Sequence, residues 1–171
     1  MLRAALETPR PDPREQALAR ALGLPDLVAR VMLARGIDTP ERAKSFLRPD
    51  LGSLHDPFAF KDMQKAVDRI RDSLRNGDRI LIHGDYDVDG ISGTVLLHKF
   101  LKMLHCDSRP YIPARADGYS ISQASVDAIK KGGFPLVISV DNGTNAVGPI
   151  AELQKSGIDV IITDHHGTTE N

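Results

Sequence analysis

Arg79-Ile80-Leu81-Ile82-His83-Gly84-Asp85-Tyr86-Asp87-Val88-Asp89-Gly90 is the stretch on which the fold turns. Its apolar run is short and strand-like, and it empties into an acidic segment ending in glycine. Two later stretches follow the same plan. Leu136–Ile138 leads into Ser139-Val140-Asp141-Asn142-Gly143, and Val160–Ile162 leads into Thr163-Asp164-His165-His166. Helix-spaced segments separate the runs, so the order from Arg79 onward is strand, helix, strand, helix. Short connections between such units favour parallel strands joined by right-handed crossovers. The fold expected is α/β, a mostly parallel sheet with helices on both faces.

That geometry bears on chemistry. In an open α/β sheet, ligands bind beyond the carboxyl ends of the strands. All three acidic clusters would then meet at one edge, although far apart in sequence. Alone, an Asp-x-Asp is usually a solvated turn, and a His-His pair usually lies on the surface or behind a ligand. Three such clusters, each closing an apolar run, are a different matter. Gathered carboxylates repel unless cations neutralise them, and oxygen ligands combined with imidazole suit a divalent ion such as Mn²⁺. The pattern points to a metal-dependent hydrolase. Asp85-x-Asp87-x-Asp89-Gly90 also fits the opening of a calcium-binding EF-hand loop, but the twelfth position, where a Glu is needed, is Leu96. The segment before it is also strand-like, where an EF-hand needs a helix.

Outward from these clusters the chain is ordinary. Its 171 residues suffice for one core and a small appendage, and 41% hydrophobic with 26% charged residues describes a globular protein. No apolar run approaches the roughly 20 residues that span a bilayer, and no apolar signal core opens the chain; a cytoplasmic location is expected. The single cysteine, Cys106, excludes an internal disulfide and reads as packing. A net charge of −1 announces no basic field for nucleic acid, but bound divalent cations would invert the local sign of an acidic cleft.

Residues 1–13, with three prolines, read as a mobile tail. Residues 14–60 form a helical leader, with helices over Arg14–Leu22 and Asp26–Ala34 and a third capped by Thr39 with Pro40 in its first turn. Residues 61–171 form the α/β domain. It opens with an amphipathic helix over Lys61–Arg75, followed by helices over Ile91–Leu104, Ser122–Lys131 and Val147–Lys155. Further strands are expected at Arg109–Ile112, Leu136–Val140 and Asp159–Thr163. His55, His98 and His105 read as surface or packing residues.

Together the three clusters resemble the DHH phosphoesterase superfamily, named for motifs of the Asp164-His165-His166 type. Within it the chain is most similar to the amino-terminal part of the RecJ-like exonucleases, which degrade single-stranded DNA from the 5′ end in repair and recombination. The likeness is closest from Phe58 to Thr168, and includes Ile112-Pro113 and Gly118-Tyr119. It implies two Mn²⁺ or Mg²⁺ ions: His83 and Asp87 on one, Asp89 and His165 on the other, and Asp141 between them. Alternation along an extended segment would let His83, Asp87 and Asp89 point to one side. Asp164 would orient His165, and His166 would contact the scissile phosphate. Asp85 is open between support and ligation, Asn142 is a supporting residue, and Arg115 would bind substrate. Single-stranded DNA is the implied partner, with a helicase or single-strand-binding protein alongside and no membrane. Small DHH enzymes acting on short oligonucleotides, cyclic dinucleotides or pyrophosphate are an alternative, as is a non-catalytic DNA-binding or scaffold domain. The sequence departs from RecJ-like chains at Ala116-Asp117-Gly118-Tyr119-Ser120. It also departs in length: a further metal-binding Asp and the carboxy-terminal DHH-associated domain are expected beyond Asn171, which would make the chain poorly active alone.

Overall fold

The computed structural model describes residues 12–115, 118 and 120–168. The expected tail lies mostly outside these residues, as do Ala116, Asp117 and Tyr119. The chain divides into two compact units, Met1–Ala59 and Phe60–Asn171.

In the first unit, α1 (Arg14–Leu22), α2 (Asp26–Ala34) and α3 (Pro40–Leu47) enclose a small core of Leu18, Ala19, Ala29, Met32 and Ala43. The Thr39 hydroxyl caps α3 by accepting from Arg42 N–H, and Pro40 occupies the first turn, where its missing N–H costs nothing. Glu15 is buried, and both its carboxylate oxygens accept from Arg30 Nε at 3.0 Å.

The second unit is the expected α/β domain. Four parallel strands, β1 (Ile80–His83), β2 (Ser108–Tyr111), β3 (Leu136–Val140) and β4 (Asp159–Thr163), stand in the order β2-β1-β3-β4. Alternation along the strands supplies two cores. Leu81 and Val137 face Val126, Ile129 and Leu153 from α6 (Gln123–Gly132) and α7 (Val147–Lys155). Ile80, Ile82, Leu136 and Ile138 face Ile70 and Leu74 of α4 (Met63–Asn76) and Leu97 and Leu101 of α5 (Val88–Met103). Pro110 sits in β2, an edge strand, where a missing donor is tolerated.

One difference from the sequence reading matters. Helix α5 begins at Val88, three residues earlier than expected, because Asp87 caps it: its Oδ1 accepts from Asp89 N–H and Gly90 N–H, both at 3.0 Å. Asp89 therefore lies in the first helical turn. The segment from His83 to Asp89 is not extended throughout, and the alternation expected to aim all three ligands one way does not hold. Gly90 is required by this turn, since a Cβ there would stand 2.6 Å from the Asp85 backbone.

Candidate metal centre

The strand order reverses direction between β1 and β3: the chain goes from β1 outward to β2, then crosses to β3 and β4. Such a switch point opens a crevice beyond the strand ends. The acidic clusters occupy it.

From β1, His83 is the last strand residue and is fully buried. Its Nε2 lies 3.0 Å from Ser125 Oγ on α6, and its ring stacks at a tilt against Tyr111, its neighbour in register on β2. Burial pushes its pKa down to about 4. Asp85 follows, almost fully buried, with Oδ1 lacking any hydrogen-bond partner. Asp87 is exposed; the Gly90 N–H and then the Asp89 N–H hold its carboxyl below the ordinary range.

From β3, Asp141 takes a left-handed conformation, φ 64°, unusual for a non-glycine residue. Its N–H donates to Thr163 O on β4 at 2.8 Å, which fixes the strand end beside the last cluster. The carboxylate is buried; burial and then the charge of Asp87 push its pKa up. Asn142, fully buried, donates to the carbonyls of His83 and Val140 at 3.2 and 2.9 Å, tying β1 to β3.

After β4, the Asp164 carboxylate accepts from Thr144 N–H at 2.9 Å and from His166 N–H at 3.0 Å, and pairs with His166 Nδ1 at 2.7 Å. Burial would raise its pKa, but the bonds from Thr144 and His166 outweigh it and hold the group well below the carboxylate range. The same pairing raises the pKa of His166. The His165 ring nitrogen comes nearer to Asp141: its Nε2 is 3.0 Å from Asp141 Oδ1, against 4.0 Å for His166 Nδ1.

Among the described residues, two groups can each bring three ligand atoms within 4.8 Å of one another: Asp85, Asp87 and Asp141, and Asp141, His165 and His166. Asp141 belongs to both. Asp87, Asp141 and His165, expected from the sequence, are thus brought together. His83 and Asp89 stand in neither group, and Asp85 is in the first. Asp164 holds His166 rather than His165. Arg115 is exposed, its guanidinium 4.7 Å from the centroid of the Tyr86 ring between Asp85 and Asp87. Sequence reasoning missed Ser125 and Thr144. Neither follows an apolar run, and a serine or threonine in a loop or helix start carries no signal of its own.

The donor set fits a divalent cation. A buried carboxylate with an unpartnered oxygen, and a second whose pKa is raised by burial and then by its neighbour's charge, are what cation loading would relieve. Residues 79–171 match the family model described as the DHH family, N-terminal domain. The chain belongs to the DHH family. It is 39% identical over 162 residues to the single-stranded-DNA-specific exonuclease RecJ of Bacillus subtilis (strain 168), a match covering 94% of this chain and 21% of that protein. The chain thus spans about a fifth of the length of that relative. The crystal structure of RecJ in complex with Mn²⁺ from Thermus thermophilus is similar at a TM-score of 0.65 and 29% identity, covering 92% of this chain and 22% of that one. The Mg²⁺ complex from the same organism gives a TM-score of 0.55 at 28% identity, with 90% and 18% covered. Among the described residues no helix is long and apolar enough to cross a membrane.

Proposed function

We propose that this chain is the catalytic module of a Mn²⁺- or Mg²⁺-dependent phosphodiesterase that degrades single-stranded DNA from its 5′ end. The observation that carries the reading is the sharing of Asp141 between two ligand groups at the switch point of a DHH-family sheet. The likeness to RecJ exonucleases, with Mn²⁺ and Mg²⁺ in their crystal structures, supports the substrate and the metals. Of the ligand set implied by resemblance, the geometry favours Asp87, Asp141 and His165, and adds Asp85 where His83 and Asp89 were expected.

A pair of bound cations would supply Lewis acidity toward the charge that develops on phosphoryl and leaving oxygens. The chain's own residues do the rest. Asp141 spans the two groups and fixes their spacing. Asp164 holds His166 through both its backbone and ring nitrogens, so that a protonated His166 can donate to a phosphate oxygen. Arg115 adds a cation beside Tyr86 for the backbone of the strand. The partner strand would be supplied by a helicase or a single-strand-binding protein. The chain spans about a fifth of the length of its Bacillus subtilis relative, and the 171 residues alone are expected to be slow, because a misplacement of about 1 Å can cost on the order of a hundredfold in rate.

The test is incubation of 5′-phosphorylated single-stranded DNA with Mn²⁺ and this chain, alongside the full-length RecJ of Bacillus subtilis (strain 168), with products resolved by mass. Nucleotides released from the 5′ end, more slowly than by that relative and not at all by Asp141→Ala, are expected. Turnover of dinucleotides or pyrophosphate without attack on DNA would reassign the substrate. DNA binding by this chain without hydrolysis would make the domain a binding module.

A further inference from the structure

His83 opens the motif, yet its side chain lies outside both ligand groups. Its surroundings are specific. The ring is sealed from solvent, Tyr111 packs against it with centroids 5.3 Å apart, and Nε2 is 3.0 Å from Ser125 Oγ. Ser125, also fully buried, is the third residue of α6, and its hydroxyl lies 3.3 Å from that of Ser122, the residue that caps this helix. Ser122 Oγ in turn accepts from Ser125 N–H at 3.3 Å. On the other side, His83 Nδ1 has no partner, and neither do two buried acceptors of adjoining residues, Asn142 Oδ1 and Asp85 Oδ1. Asn142 is held close to His83 by its bond to the His83 carbonyl.

We propose that Ser125 is a positioning residue: its hydroxyl donates to Nε2 and thereby holds His83 as an Nδ1–H donor facing the carboxylate side, so that His83 supports the ligands instead of joining them. Three arguments converge. A hydroxyl carries one proton, and giving it to Nε2 lets Ser122 O–H donate to Ser125 Oγ, so that every donor in the chain of groups is used. The reverse arrangement would leave a lone pair at buried Nδ1, although the Asn142 side chain and the charge of Asp85 both act on this ring in favour of a proton. The amino end of α6 carries partial positive charge, which favours a lone pair at Nε2 over an N–H. A ring so fixed is the outer support that ligating carboxylates ordinarily need. The effect on cation affinity rests on the metal reading above; the tautomer does not.

Protein labelled with ¹⁵N-histidine decides it. In the wild type, free and with Cd²⁺ as a diamagnetic stand-in for Mn²⁺, His83 should show a pyrrole-type, proton-bearing Nδ1 and a pyridine-type Nε2. Ser125→Ala should mix the two tautomers and weaken Mn²⁺ binding about tenfold by calorimetry. A proton on Nε2 in the wild type, or coupling between ¹¹³Cd and either His83 nitrogen, would overturn the proposal without touching the metal reading. Unchanged tautomer and Mn²⁺ affinity in a folded Ser125→Ala would overturn it as well. A wild-type protein that binds neither Mn²⁺ nor Cd²⁺ would instead defeat the metal reading, and the spectrum of the free protein would still judge the tautomer.

Discussion

Asp141 carries two unfavourable states at once: a left-handed backbone and a buried carboxylate beside Asp87. Its pKa is raised in the folded chain, so between the ordinary carboxylate range and that raised value the folded state binds more protons than the unfolded one. Stability therefore falls as pH rises through that window, and the ionised group is a liability at neutral pH. Asparagine tolerates the same backbone conformation and carries no charge. Asp141→Asn should raise the Tm of the cation-free protein at pH 7 and abolish stabilisation by Mn²⁺. In the wild type that stabilisation should reach about 2.7 kcal/mol at a hundred times Kd; thermal melts with and without Mn²⁺ check both arms. The pKa of His166 is raised as well, but in favour of its charged form. Asp164 raises its pKa, so the stability its protonated form contributes is complete below the ordinary histidine range and is lost as pH climbs through the raised value. The midpoint read from its ring protons by NMR should drop toward the ordinary histidine value in Asp164→Asn. That Asp87, Asp141 and His165 lie near one another was legible in the sequence because each follows an apolar run. That Asp85 stands in one of the two groups while His83 and Asp89 stand in neither was left open, because it depends on where a helix starts.

That start is a property of an element. A single carboxylate oxygen on Asp87 accepts two backbone donors and pulls Val88, Asp89 and Gly90 into α5. Pattern reading followed apolar spacing, which begins only at Ile91, and so placed the boundary late. Strand positions fared better: β3 and β4 were read to the residue, since short apolar runs between glycines leave little latitude, and β2 within one. The apolar stripe of α4 was also legible, but not the task of its polar residue Arg69. That guanidinium bonds Asp159 at 2.6 Å and Ser73 at 2.5 Å, with Asp78 and the Pro135 carbonyl within 3.5 Å. It ties together the amino-terminal approaches of β1, β3 and β4, at the opposite end of the strands from the metal centre. Arg69→Met should destabilise the domain by about 1.5–3 kcal/mol, seen as a lower urea midpoint, with Mn²⁺ affinity unchanged.

At the scale of the molecule, the strand order explains why residues 56 positions apart, Asp85 and Asp141, meet at one site. It also divides the site unequally. Asp85, Asp87 and Asp141 hang from the two central strands, whereas His165 and His166 hang from β4, which among the described residues pairs only with β3. A strand held on one side opens locally at lower free energy than one held on both. The imidazole half of the centre should therefore fluctuate away while the carboxylate half stays in place. Amide hydrogen exchange should be faster along Asp159–Thr163 than along Ile80–His83, and Mn²⁺ should slow the former more, because a cation gripped by Asp141 and His165 would act as the clasp that the open edge lacks. On that account a bound metal would do more than equip the site for chemistry: it would set how long the two halves stay together, and scarcity of the ion would show first as a loosened edge rather than as an unfolded protein.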